Sequence, residues 1–127
     1  MSGIYPVFDP PMLSADSFNG KGLSADLERL DEIAASLNLP LLSQFIDAHA
    51  MMREVLDEED IPVDCPPERW YPAQEGLATV GGLLLYVEQQ PEQLRHESAA
   101  IMDLEHLASL LDEAERLNVR FQLLVDL

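Results

Sequence analysis

Apolar residues recur every three or four positions through four stretches of the chain, a spacing that predicts four amphipathic helices. The first covers 24–37, with Leu27, Leu30, Ala34 and Leu37 on one side and Ile33 beside them. Ser24 stands where a cap is wanted, Asp26 and Glu28 suit the first turn, and Asn38 followed by Pro40 ends the helix. The second covers 42–59, with Phe45, Ile46, Met52, Val55 and Leu56 as its apolar side and Pro62 as the stop. The third covers 73–90, striped by Leu77, Val80, Leu84 and Val87. Its Gly81-Gly82 pair costs roughly 1 kcal/mol per glycine relative to alanine, a cost offset if another backbone approaches there. The fourth, 98–117, is the most regular. Ile101, Leu104, Ala108, Leu111 and Ala114 line one side, Leu107 and Leu110 widen it, and Asn118 is a good breaker.

After Asn118 the period drops to two. Val119, Phe121, Leu123 and Val125 alternate with Arg120, Gln122, Leu124 and Asp126, which predicts a half-buried strand over 119–125. A lone strand leaves its own backbone unpaired and needs a neighbour. Ile4 to Phe8 is the one good candidate within the chain, and a second copy, in a homodimer, is the other. Pro6 confines that segment to a sheet edge. Residues 1–22 otherwise read as extended and turn-rich, with Pro10, Pro11 and an Asn19-Gly20-Lys21-Gly22 turn. Residues 62–72 hold four prolines and form a rigid surface connection. The expected fold is mainly α: about four helices in one layered bundle, with a C-terminal strand paired to an N-terminal edge strand. The 127 residues form a single domain, long enough to bury roughly two thirds of the unfolded surface.

Charge changes the picture more than any motif. The formal net charge is −17, from 24 acidic and 7 basic residues. Residues 1–63 carry 12 acidic and 3 basic side chains, net −9, and residues 64–127 carry 12 and 4, net −8. The acidity belongs to the whole surface rather than to a tail. Such a field repels nucleic acid and anionic membranes and attracts basic proteins. Solubility alone needs only ~2 to 8 charges on a small domain. A hydrophobic content of 47% excludes a disordered acidic chain. No apolar run reaches the ~18 to 20 residues that span a bilayer. No signal peptide is visible at the N-terminus, and Cys65 has no partner for a disulfide. The expected location is therefore the cytoplasm.

No catalytic constellation emerges. His49, His96 and His106 fall in no metal-ligand spacing, and Asp103-x-x-His106 offers two ligands where three or four are needed, so it reads as an exposed helix face. Cys65, between Asp64 and Pro66, has no nearby base and reads as inert. The Gly20-Lys21-Gly22 turn, which holds the only lysine, lacks the longer spacing of a phosphate loop. The expectation is no enzyme, no catalytic residue, no metal and no cofactor. Glu54, Asp57, Glu58, Glu59 and Asp60 place five acids within seven residues without the glycine and alternation of a calcium loop. They are either a solvated helix end or a docking surface for arginines and lysines. Trp70 and Tyr71, in the proline-rich stretch, serve either as core plugs or as binding anchors.

Three segments carry a resemblance. Trp70-Tyr71 through Glu75-Gly76-Leu77-Ala78-Thr79-Val80, then Phe18-Asn19-Gly20-Lys21, and finally Arg120-Phe121-Gln122-Leu123-Leu124-Val125-Asp126 are similar to segments of a group of small acidic bacterial proteins of unassigned function. The resemblance implies a shared fold and a bacterial source, and no substrate. By class alone, size and acidity resemble toxin-neutralising immunity proteins. The expected function is a non-enzymatic interaction protein that neutralises or carries a basic protein partner. A secretion chaperone, a structural subunit and a carboxylate-dependent enzyme are the alternatives.

Overall fold

A computed structural model describes residues 3–126; Met1, Ser2 and Leu127, which the sequence places in the turn-rich N-terminal stretch and at the end of the domain, lie outside the described residues. Three strands, β1 (Gly3–Asp9), β2 (Tyr71–Pro72) and β3 (Arg120–Asp126), form one antiparallel sheet in the order β1–β3–β2. The C-terminal strand therefore finds its neighbour within the chain. β1 runs its full length against β3, from Gly3 opposite Asp126 to Asp9 opposite Arg120. The Ile4 N–H points away from β3 and donates to the Gly20 carbonyl at 3.1 Å. Pro6, two residues on, faces the same outer edge, where its missing N–H costs no ladder bond.

β3 is not half-buried, as its alternation suggests. Phe121 and Leu123 enter the main core, while Gln122 and Leu124 are buried on the opposite face. Gln122 looks like a solvent-facing residue in the sequence, yet it is 1% exposed and its Nε2 donates to the Arg69 carbonyl at 3.0 Å. A second layer, residues 46–70, covers that face. Ala50, Ile61 and Leu124 are buried apart from the main apolar cluster.

The main core lies between the sheet and the helices α1 (Lys21–Ala25), α2 (Leu27–Ser36), α4 (Ala73–Gln89) and α5 (Glu97–Arg116), with α3 (Ala48–Arg53) in the second layer. The first expected helix, 24–37, starts earlier and is two helices. Gly20, not Ser24, occupies the cap position, at φ 77°, and a Cβ there would collide with the Ile4 carbonyl. The stretch expected as a plain turn, Asn19 to Gly22, thus also starts α1. The junction at Asp26 departs from helical geometry, with φ −113°. Both α2 and α5 end as expected on an asparagine. Asn38 and Asn118 each adopt φ 59°, and the next amide closes back on the chain, Leu39 to the Ala34 carbonyl at 2.9 Å and Val119 to the Ala114 carbonyl at 2.8 Å.

The second expected helix, 42–59, is the largest correction. It is a 3₁₀ turn (Leu42–Phe45), an extended link at Ile46 and Asp47, the short α3, and a 3₁₀ turn at Glu58–Asp60. Tertiary pairing overrides the periodicity: Ile46 bridges to Leu123 beside β2, and the Asp47 N–H donates to the Leu123 carbonyl at 3.2 Å. In α4 the buried stripe is Gly76, Val80, Leu83 and Val87, with Leu77 and Leu84 on its flank. Thr79, fully buried, satisfies its hydroxyl on the Pro40 carbonyl at 2.8 Å. The close backbone approach expected at Gly81-Gly82 occurs elsewhere. Gly22 of α1 lies against the main chain of Ala99 in α5, Gly82 meets only the Leu39 side chain, and Gly81 faces open space. Among the described residues, no helix is long and apolar enough to cross a membrane.

These contacts separate the glycines of α4 by stability. A Cβ at Gly81 meets nothing, so Gly81→Ala should stabilise the protein by about 0.5 to 1 kcal/mol through helix propensity. A Cβ at Gly76 would press into the buried Phe121 ring, so Gly76→Ala should cost about 1 to 3 kcal/mol through overpacking. Denaturant unfolding of the two variants is the check, and shifts of the same sign would contradict this packing.

Candidate functional site

The second layer leaves the sheet at Ile46 and returns to it at Tyr71. Asp47 ties both ends. Its Oδ1 accepts the Ala50 N–H at 2.8 Å, capping α3, and its Oδ2 accepts the Arg69 N–H at 2.7 Å. The carboxylate is 5% exposed. Further ties are Gln122 to Arg69, the Val125 N–H to the Met51 sulfur at 3.2 Å, and an ion pair of Arg53 with Glu68 at 2.5 Å. Hydrogen bonding to Glu68 raises the Arg53 guanidinium further above its already high value.

Between these anchors the chain turns its carboxylates outward. Glu54, Asp57, Glu58, Glu59 and Asp60 are all exposed, and the structure brings them together on one turn-rich segment rather than on a helix face. Glu58 accepts a hydrogen bond from the His49 ring, Nε2 to Oε1 at 3.0 Å. Among the described residues, Glu54, Asp57, Glu59 and Asp60 enter no intramolecular ion pair, and the neighbouring Arg53 is turned to Glu68. Ile61 anchors the end of the segment in the second-layer core, while Val55 is 67% exposed.

The two aromatic candidates separate. Tyr71 packs on the core: its ring meets Phe45 edge-on at 5.1 Å, and its hydroxyl donates to the Gln44 carbonyl at 3.1 Å. The Arg69 guanidinium sits over that ring, 5.1 Å from its centre. Trp70 is half-buried and stands outside the main apolar cluster, so it is not the plug of that core.

The remaining candidates resolve into structural contacts. Asp103 is not on an exposed face: its Oδ2 accepts the Gly22 and Leu23 N–H groups at 2.8 and 3.2 Å, capping α1. His106 packs against Phe18, ring centres 5.1 Å apart. Asp26, buried, accepts the N–H groups of Arg95 and His96 at 3.0 and 2.8 Å at the start of α5. Cys65 is half-buried with its sulfur 3.6 Å from the Pro66 carbonyl. Among the described residues, no three His, Cys, Asp or Glu side chains converge as a metal-binding group.

One further residue joins the acidic segment from across the fold. Tyr5 of β1 shares a small depression with Glu54 and Val55 and with Val125 and Asp126 at the end of β3. Burial first, then the negative charges of Glu54 and Asp126, raise the Tyr5 phenol above its ordinary value of 10.0. Spacing gives no hint of this meeting, because it depends on the β1–β3 register and on the second layer.

Comparison of the chain with protein-family models, with curated proteins and with solved structures finds no match.

Two measurements test this geometry. Asp47→Ala should cost about 2 kcal/mol or more by stranding two main-chain donors, whereas Asp57→Ala should leave the unfolding midpoint unchanged. Equal effects would mean that Asp47 is not the closure of the layer. Tyr5 should titrate later than an ordinary tyrosine in the Tyr5→Phe difference absorbance spectrum, and Glu54→Gln should bring it partway back. Because the folded state holds that proton more tightly than the unfolded chain, its contribution to stability is intact below pH 10 and falls as pH rises through the folded value. A Tyr5 that titrates at or below the ordinary value would contradict the crowding of Tyr5 by Glu54 and Asp126.

Proposed function

We propose that this protein is a non-enzymatic binding protein whose acidic second layer receives a basic protein partner. In its sharpest form it is a bacterial immunity protein that neutralises a basic toxin in the cytoplasm. The observation that carries the reading is the segment Glu54 to Asp60. Five carboxylates stand exposed within seven residues, four of them without an intramolecular cation among the described residues, in a chain of net charge −17. Such a surface raises the encounter rate with cationic partners and disfavours anionic ones. Carboxylates on neighbouring turns also offer arginine several bidentate acceptors. The layer that carries the segment is closed by Asp47, and of the five acids only Glu58 makes a side-chain contact within it, to His49, so charge can be presented there without entering the core.

Asp57, Glu59 and Asp60 are the residues to alter, because Glu58 is engaged by His49 and Glu54 borders Tyr5. The triple variant Asp57→Lys, Glu59→Lys, Asp60→Lys should fold normally and slow association with the partner strongly. Association of the unaltered protein should itself slow as salt rises. The direct experiment is affinity capture with unaltered and triple-reversed protein as parallel baits, followed by co-expression of the captured protein with this chain. The expected result is a basic protein that the reversed bait loses and whose toxicity this chain suppresses. A partner that is acidic or neutral, or that both baits hold equally at every salt concentration, would overturn the reading.

A further inference from the structure

The second layer meets the sheet at an open groove whose chemistry names what fits there. Tyr5 of β1, Glu54 and Val55 of the turn after α3, and the β3 end at Val125 and Asp126 line a depression of about 200 Å³. That is below the ~300 to 1,000 Å³ of sites for drug-sized ligands, and it suits one long side chain. Its apolar lining comes from the half-buried Tyr5 and Val125 and from Val55, which is 67% exposed. Its rim carries two carboxylates, from Glu54 and Asp126, and both are exposed.

Resting on the reading of the protein as a binder of basic partners, we propose that this groove is the point at which an arginine side chain of the partner seats. Its methylene stem would lie against Val55 and the Tyr5 ring, and its guanidinium would bridge Glu54 and Asp126. Charge complementarity selects the occupant. An anion is repelled by both rim carboxylates, and a neutral apolar side chain would cover Val55 while stripping water from two unpaired charges. Arginine suits the groove better than lysine, because its planar fork can donate to two carboxylates at once and stack on an aromatic face, whereas an ammonium is a compact, strongly hydrated point charge. Burial first raises the Tyr5 phenol, and the negative charges of Glu54 and Asp126 raise it further, as two carboxylates lining the same groove require. Its titration also supplies a spectroscopic reporter, since a cation seated there lowers the phenol again.

The probe is a short acetylated and amidated peptide of leucine–arginine–leucine, with the lysine and the uncharged citrulline versions beside it, titrated into isotopically labelled protein. The arginine peptide should shift the Tyr5, Val55 and Asp126 resonances in the millimolar range and lower the Tyr5 phenol titration. The lysine peptide should bind several-fold more weakly, and the citrulline peptide should leave these resonances in place. Glu54→Gln with Asp126→Asn should abolish the response, and Glu59→Gln with Asp60→Asn should leave it intact. Shifts spread evenly over the acidic surface, equal responses to arginine and lysine, or no movement at Tyr5 would overturn the groove assignment. Those outcomes leave the wider reading distinguishable, because it fails only if a captured partner ignores the Asp57, Glu59 and Asp60 reversal.

Discussion

A chain with 24 acids and 7 bases has few cations to set against carboxylates that turn inward, and it sets them against its own main chain. A buried charge without partners is costly, and peptide N–H groups at the starts of helices and turns are the donors always at hand. Asp26, Asp47 and Asp103 each accept two such N–H groups, and each joins segments distant in sequence. Two of them are reciprocal. Asp103 of α5 caps the start of α1, and Asp26 at the end of α1 closes on the start of α5. Between them Gly22 lets the two backbones touch. The helical layer is therefore registered by hydrogen bonds to carboxylates, not by apolar packing alone.

Asp47 does the same for the second layer, and the sheet makes that layer necessary. β3 buries Leu124 and Gln122 on the face away from the main helices, so some part of the chain must cover them. Residues 46–70 do so with few apolar anchors, chiefly Ala50 and Ile61. A layer held by so little apolar surface depends on its polar ties, and its remaining side chains are free to face water. The exposure of Glu54 to Asp60 follows from how β3 is covered.

Periodicity made the simplest parts legible. The long helices, the asparagine stops and the terminal strand follow from spacing and local backbone preference, because each is decided by residues close together, whereas the strand's partner follows only from Ile4 to Phe8 being the one other suitable extended segment. The errors share one cause. The 42–59 pattern reads as a helix until the backbone of Ile46 is claimed by β3, and Gln122 reads as exposed until a layer arrives above it. Asp103 and His106 read as surface because nothing local announces α1 and Phe18 as their neighbours. Of the candidate face, the five acids were visible as a run in the sequence. Tyr5 and Asp126 were not, since they reach Glu54 only through the sheet register. Trp70 and Tyr71, adjacent in sequence, part company because only Tyr71 enters the strand pairing with Phe121 and packs on the core.

The two uses of carboxylate in this protein bear on why the surface is so acidic. A surface shaped for solubility alone tends to intersperse both signs. Here Arg29, Arg53, Arg116 and Arg120 are paired with Glu32, Glu68, Asp112 and Asp9, and Arg69 lies over Tyr71. Arg53 is the telling case. It adjoins Glu54 and lies four residues from Asp57, yet its guanidinium is turned to Glu68, where it fastens the second layer. The cation adjoining the acidic segment thus holds that segment's scaffold through its hydrogen bond to Glu68 and reaches the segment only through the charge of Glu58, which His49 also contacts. The charges of Glu54, Asp57, Glu59 and Asp60 are left to diffuse counterions or to the basic surface of a partner.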